Sequence, residues 1–117
     1  MSRHDDNVSL RQMLDHAREA LDMSRGRSRT DLDRDRPLFL STLKLVEIVG
    51  EASNRVSTKT QKSLARIPWG KIAGTRNRLV HGYDDIDNDV LWDILQVDLP
   101  PLIAELERIL GERGGDV

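Results

Sequence analysis

A chain of 117 residues, 38% of them hydrophobic, has apolar material for one core but not for two domains each with a site of its own. With no cysteine, neither a disulfide frame nor a thiolate zinc site is possible, and His4, His16 and His81 are too scattered to suggest a metal cage, so no metal or cofactor is expected. The net charge of -2 conceals a segregation of signs taken up below, and the opening Met1-Ser2-Arg3-His4-Asp5-Asp6 puts charges where a signal peptide needs an apolar stretch. No run approaches the ~18 apolar residues of a membrane span. The expectation is a cytoplasmic protein that does not enter a membrane.

In residues 8–23, Leu10, Met13, Leu14, Ala17 and Leu21 recur at helical spacing, with Arg11, Asp15, Arg18 and Asp22 opposite. This predicts a surface helix with one buried stripe. Residues 24–36 (SRGRSRTDLDRDR) are too polar to pack and are predicted to be a mobile loop.

Pro37 suits the first turn of a helix, because it fixes φ and lacks an amide that would need a partner. From there to about Val56, Phe39, Leu43, Val46 and Val49 form one face, widened by Leu38, Leu45 and Ile48. This should be the most buried helix, with Gly50, Ala52 and Ser53 allowing a neighbour to come close. Glu51 is read as capping local packing, the alternative being a polar supporting group that faces the site.

Ser57 and Thr58 are cap candidates for a short helix to about Ala65, and Ile67-Pro68 marks the next boundary. Ile72, Arg76, Leu79 and Tyr83 then predict a helix from Pro68 to about His81, stopped by Gly82 in the left-handed conformation. Trp69 and Trp92 fall in apolar stripes and read as core or interface residues.

Residues 84–87 are a turn and N-cap region. Beyond it, Val90, Leu91, Ile94, Leu95, Leu102, Ile103, Leu106, Ile109 and Leu110 predict one helix kinked at Pro100, or two abutting helices. Gly114-Gly115 should end it, with a frayed tail over 112–117. With no strand alternation of useful length, the fold is read as all-α, an up-and-down bundle of four to five helices in a single domain, 1–117.

Charge divides sharply along this bundle. Between Arg55 and Tyr83 there is no Asp or Glu, and Arg55, Lys59, Lys62, Arg66, Lys71, Arg76 and Arg78 give +7; from Asp84 onward the balance is -8. A cationic segment in a nearly neutral chain points to a phosphate-bearing partner. The alternative is that these cations are solvated faces paired with the acidic half.

Within that segment lies Thr75-Arg76-Asn77-Arg78-Leu79-Val80-His81-Gly82-Tyr83. On a continuous helix Arg76 and Tyr83, seven apart, fall within about 20° of each other, and His81 lies about 140° from Arg76 but at a helix end that can swing it back. Arg offers a permanently charged fork matching two phosphate oxygens. His titrates near neutrality and suits a general acid or base, and Tyr offers a hydroxyl and a ring. RNA carries its own nucleophile in the 2′-hydroxyl, so its cleavage needs a base, an acid and charge stabilisation. One protomer supplies one suitable histidine, so a homodimer bringing two copies of Arg76 and His81 into one cleft is expected. Lys71 and Arg78 are the candidate RNA contacts.

The string RNRLVHGY resembles the Arg-Asn-x3-His-x-Tyr motif of the HEPN superfamily, and more closely its HepT-like branch. IVGEAS at 48–53, IPWGKIAGTRNRLVHGYDDID at 67–87, VLWDIL and DLPPLIAEL extend the likeness over roughly residues 38–110. The resemblance implies a metal-independent endoribonuclease toxin acting as a dimer, with Arg76 and His81 catalytic and Asn77 in support. It also implies a partner, a minimal nucleotidyltransferase antitoxin that transfers AMP from ATP to Tyr83. The other reading of the same basic face is a non-catalytic RNA- or nucleotide-binding module assisting a nucleotidyltransferase.

Overall fold

The computed structural model describes residues 5–80, 82 and 85–111. Two long helices, α1 (Asp6–Ser24) and α3 (Arg36–Arg55), pack along each other. A third span joins α7 (Asn88–Asp93) to α8 (Leu99–Leu110) through a π-helical turn, Ile94–Asp98, and α8 lies against α1. Four short helices occupy the connections: α2 (Asp31–Arg34), α4 (Thr58–Ser63), α5 (Trp69–Ala73) and α6 (Thr75–Leu79). The described residues form an all-α bundle, as the apolar periodicity predicts. None of its helices is long and apolar enough to cross a membrane.

The stripe expected on α1 is the one that is buried, with Leu10, Met13, Leu14 and Ala17 inside and Leu21 partly covered. Asp5 caps the helix, its carboxylate accepting from the Asn7 amide at 2.9 Å. Arg18 spans the interface to α8, donating from both Nε and a terminal nitrogen to Glu107 at 3.2 and 2.8 Å. On α3, Asp35 accepts from the Leu38 amide at 3.1 Å, and Pro37 sits in the first turn as predicted. Its most buried face is Leu38, Thr42, Leu45, Val46, Val49, Ala52 and Ser53, whereas Phe39 and Leu43 are only partly covered. Thr42 tolerates complete burial because its hydroxyl donates to the Leu38 carbonyl at 2.8 Å.

Several expectations need correction. The polar segment 24–36 contains a helical turn, α2, which drops Leu32 into the core at 2% exposure. Charge supplies what apolar surface does not: Arg27 binds Asp31 and Asp35, and Arg29 binds Asp33 and reaches Asp89 in the first turn of α7. Glu51 is exposed, with no hydrogen bond or ion pair among the described residues, so it does not pack. Gly50 meets α5, but an added Cβ would stand 3.6 Å from the Ile72 carbonyl, an ordinary contact that does not require glycine.

The helix predicted from 68 to 81 is two helices. α5 stops at Gly74, whose amide donates to the carbonyl of Gly70, and α6 restarts at Thr75. Trp69 is partly buried, its Nε1 donating to the Leu64 carbonyl at 3.1 Å, and Trp92 is partly buried against the core. The final span is interrupted just before Pro100, by a specific device. Pro100 and Pro101 lack amides, and in a regular α-helix their rings would strike the carbonyls four residues back. The wider π turn relieves this, with the Leu99 amide reaching the Ile94 carbonyl five residues back. The helix ends at Gly111 in the left-handed conformation, φ 73°, rather than at Gly114-Gly115, which lie with the tail 112–117 outside the described residues.

Candidate functional site

The basic segment enters through α4, which Ser57 caps by accepting from the Thr60 amide at 3.2 Å. It then passes through α5 and the Gly74 break into α6. α6 buries Thr75 and Leu79, one turn apart, the latter at 1% exposure. That spacing turns Arg76 and Asn77 outward, and both are exposed. The Arg76 side chain makes no hydrogen bond or ion pair with any other described residue.

α6 does not run on to His81. Val80 is already extended, with φ -79° and ψ 121°, and forms an antiparallel bridge with Ile86, while the Asp87 amide donates to the Leu79 carbonyl at 2.7 Å. The ideal-helix angles that relate Arg76 to His81 and Tyr83 therefore do not apply. Gly82 has φ 79°, the left-handed value expected of it, but it lies beyond the helix and does not cap it. His81, Tyr83 and Asp84 lie outside the described residues, as does His4.

The two remaining candidates face elsewhere. Arg78 follows Arg76 by two positions, about 200° around a helix, and is half-buried on the side of α6 opposite to Arg76. There it donates to Asp98 at 3.1 Å, and Lys71 on α5 donates to the other oxygen of the same carboxylate at 3.0 Å. Neither expected outcome for the cations holds throughout. Lys71 and Arg78 pair with the acidic half, as the alternative reading has it, while Lys59, Lys62, Arg66 and Arg76 have no hydrogen-bonded or ion-paired partner among the described residues.

Asp98 is the participant that sequence reasoning missed. Its facing is set by the π turn it closes, and a Pro-Pro pair after an acidic residue was the available signal. Behind Asp98, α3, α5, α6, the π turn and α8 enclose a groove of about 390 Å³. Val46, Val49, Ile72 and Leu102 line its apolar part, and Arg66, Lys71, Arg78, Asp98 and Glu105 are its charged residues. Glu105 binds Arg108 and feels Arg66, and the Arg108 hydrogen bond foremost holds its carboxyl below the usual range. Among the described residues no His, Asp or Glu side chains are grouped to hold a metal ion.

Comparison with known proteins agrees with this architecture. The family model "Ribonuclease HepT-like" matches residues 13–109, from the middle of α1 to the end of α8. A protein of Methanocaldococcus jannaschii named "Putative RNase MJ1380" is 27% identical over 109 residues, covering 93% of this chain and 100% of its own length. The "Probable ribonuclease HepT" of Thermococcus cleftensis is 31% identical over 75 residues, 64% of this chain and 68% of that protein. No solved structure matches. The matched span takes in the later part of α1 and the segment 24–36 as well as the motif helix, and the chain belongs to the HepT-like ribonuclease family of the HEPN superfamily.

Proposed function

We propose that this chain is the toxin of a toxin–antitoxin pair, a cytoplasmic, metal-independent endoribonuclease in which Arg76 and His81 are catalytic and Asn77 supports them. The observation that carries the reading is Arg76 itself. A guanidinium is held in water on a short helix whose other face is buried, with no partner among the described residues, inside an acid-free stretch of chain. An arginine with no carboxylate bound to it among the described residues is suited to a phosphate, whereas one already paired must first surrender its carboxylate.

The chemistry follows from what RNA supplies. A neutral His81 takes the proton of the 2′-hydroxyl, whose oxygen attacks phosphorus. The P–O5′ bond breaks, the leaving oxygen collects a proton from a protonated histidine, and a cyclic phosphate remains. A homodimer provides both histidines, with His81 of the partner subunit as the second, and Arg76 stabilises the charge gathering on the phosphoryl oxygens. Lys59, Lys62 and Arg66 extend the positive field along which a strand would approach.

Tyr83 serves as the switch. Its hydroxyl attacks the α-phosphorus of ATP on a minimal nucleotidyltransferase antitoxin, pyrophosphate leaves, and the tyrosine carries AMP. The new negative charge competes with RNA for Arg76. The test has two parts. Cleavage of RNA in the presence of a chelator should vanish in His81→Ala and fall steeply in Arg76→Ala; undiminished cleavage in both would end the assignment, and salt-sensitive binding without cleavage by the unmodified protein would favour a binding module. Co-expression with the nucleotidyltransferase should add the mass of AMP to the wild type and not to Tyr83→Phe.

A further inference from the structure

We infer that Asp98 is a positioning residue that staples α5 to α6 across the Gly74 break and so fixes the direction in which Arg76 and Asn77 project. The inference rests on the ribonuclease reading for its functional part only.

The two helices need such a device. α5 and α6 are five residues each, far below the length at which a helix holds itself in water, and Gly74 interrupts the ladder between them. Within the pair the links are few: the Gly74 amide closes α5, the Arg78 amide returns to the Gly74 carbonyl at 3.2 Å, and the Thr75 hydroxyl donates across the break to the Lys71 carbonyl at 3.3 Å. Burial of Ile72, Thr75 and Leu79 anchors one face of each helix. Lys71 lies before the break and Arg78 after it, one on each helix, and they share one carboxylate, an oxygen each, at 3.0 and 3.1 Å. The Asp98 side chain is only 19% exposed, so this is not a fully solvated pair of the kind that contributes nothing. Asp98 in turn belongs to the span joining α7 to α8, whose Leu95, Leu99, Leu102 and Leu106 are core residues. The staple is therefore fixed to a span held in the core.

This assigns Lys71 and Arg78 a role different from RNA contact. They point to the groove, on the side of α6 away from Arg76, and they share a single carboxylate, which offsets one of their two positive charges. As positioning groups they act through α6 on Arg76.

The test uses the full-length protein with Asp98→Ala, Asp98→Asn and the double variant Lys71→Met/Arg78→Met. Hydrogen exchange of the amides at 75–80 should accelerate in all three, while α1 and α3 keep their protection. With RNA as substrate, kcat should fall by about 10- to 100-fold, the scale of a misplaced catalytic group, with KM and the salt dependence of binding unchanged. Combining Asp98→Ala with the double variant should add nothing further. Unaltered exchange at 75–80 would overturn the staple. So would tighter RNA binding with a steeper salt dependence in Asp98→Asn, since that is what unmasking two phosphate contacts would produce. If the wild type cleaves no RNA, the ribonuclease reading falls and the staple is judged by exchange alone.

Discussion

Replacing Arg76 by alanine should separate activity from stability more cleanly than any other change in this chain. The side chain is exposed and bonds to no other described residue, and alanine is the better helix former. The cost to folding should stay within about 0.5 kcal/mol, a melting shift below about 4 °C for a domain of this size. Leu79, three residues on and 1% exposed, marks the contrast, because its truncation to alanine should cost about 2–5 kcal/mol. In cleavage the order reverses. Loss of a group that stabilises phosphoryl charge lowers kcat by about 100- to 1000-fold, roughly 2.7–4 kcal/mol of barrier. Initial rates on a labelled RNA in chelator, beside thermal melts of the same preparations, measure both quantities. Arg76→Ala cleaving within about threefold of wild type, or melting as low as Leu79→Ala, would refute the reasoning.

Three further outcomes are expected. Gly50→Ala, with its new methyl in ordinary contact with the Ile72 carbonyl, should raise stability by about 0.5–1 kcal/mol in chemical denaturation, and a loss would mean that α3 and α5 cannot part by even a fraction of an ångström. Gly82→Ala meets no neighbouring atom within 4 Å but inherits φ 79°, so it should cost about 1–2 kcal/mol, detectable in the same titration. Acid should loosen α2: a backbone hydrogen bond from Ser28 holds the Asp31 carboxyl low, the Asn88 side chain lowers Asp33, and Arg27 lowers Asp35. Depressed folded-state values stabilise above the ordinary carboxylate pKa of about 3.9 and lose that contribution as pH falls below it. Amide exchange at 31–34 should accelerate in that window, while α1 stays protected.

The elements that could be read from the chain are those set by local pattern. Leu10, Met13, Leu14 and Ala17 declare α1, Pro37 opens α3, and Ser57 caps α4, because each signal lies within a turn or two of its effect. α2 was hidden because its one core residue, Leu32, makes no periodicity, and part of what holds it comes from far along the chain: Arg29 reaches Asp89, and Asn88 reaches Asp33. Of the site, Arg76 and Asn77 were visible as a motif. The fate of Lys71 and Arg78 was not, since Asp98 stands 27 and 20 positions away from them. A glycine within a helical pattern, as at Gly74, does not say beforehand whether it will be absorbed or will break the helix.

The π turn between α7 and α8 makes residue number a structural variable in its own right. It carries one residue more than an α-turn would hold, and one residue is worth about 100° of rotation against only 1.5 Å of length. Deleting a single residue from Ile94–Asp98 would leave an α-turn in its place with α7 and α8 still facing nearly as they do, but it would return the Pro100 and Pro101 rings to the carbonyls four residues back. Adding one residue would instead turn α7 against α8 by about 100°, taking Leu91 out of the core and Asp87 away from the Leu79 carbonyl. Substitutions within the turn should be tolerated where a change of length is not, and the spacing from Leu91 to Leu102 specifies this fold as firmly as the leucines at its ends.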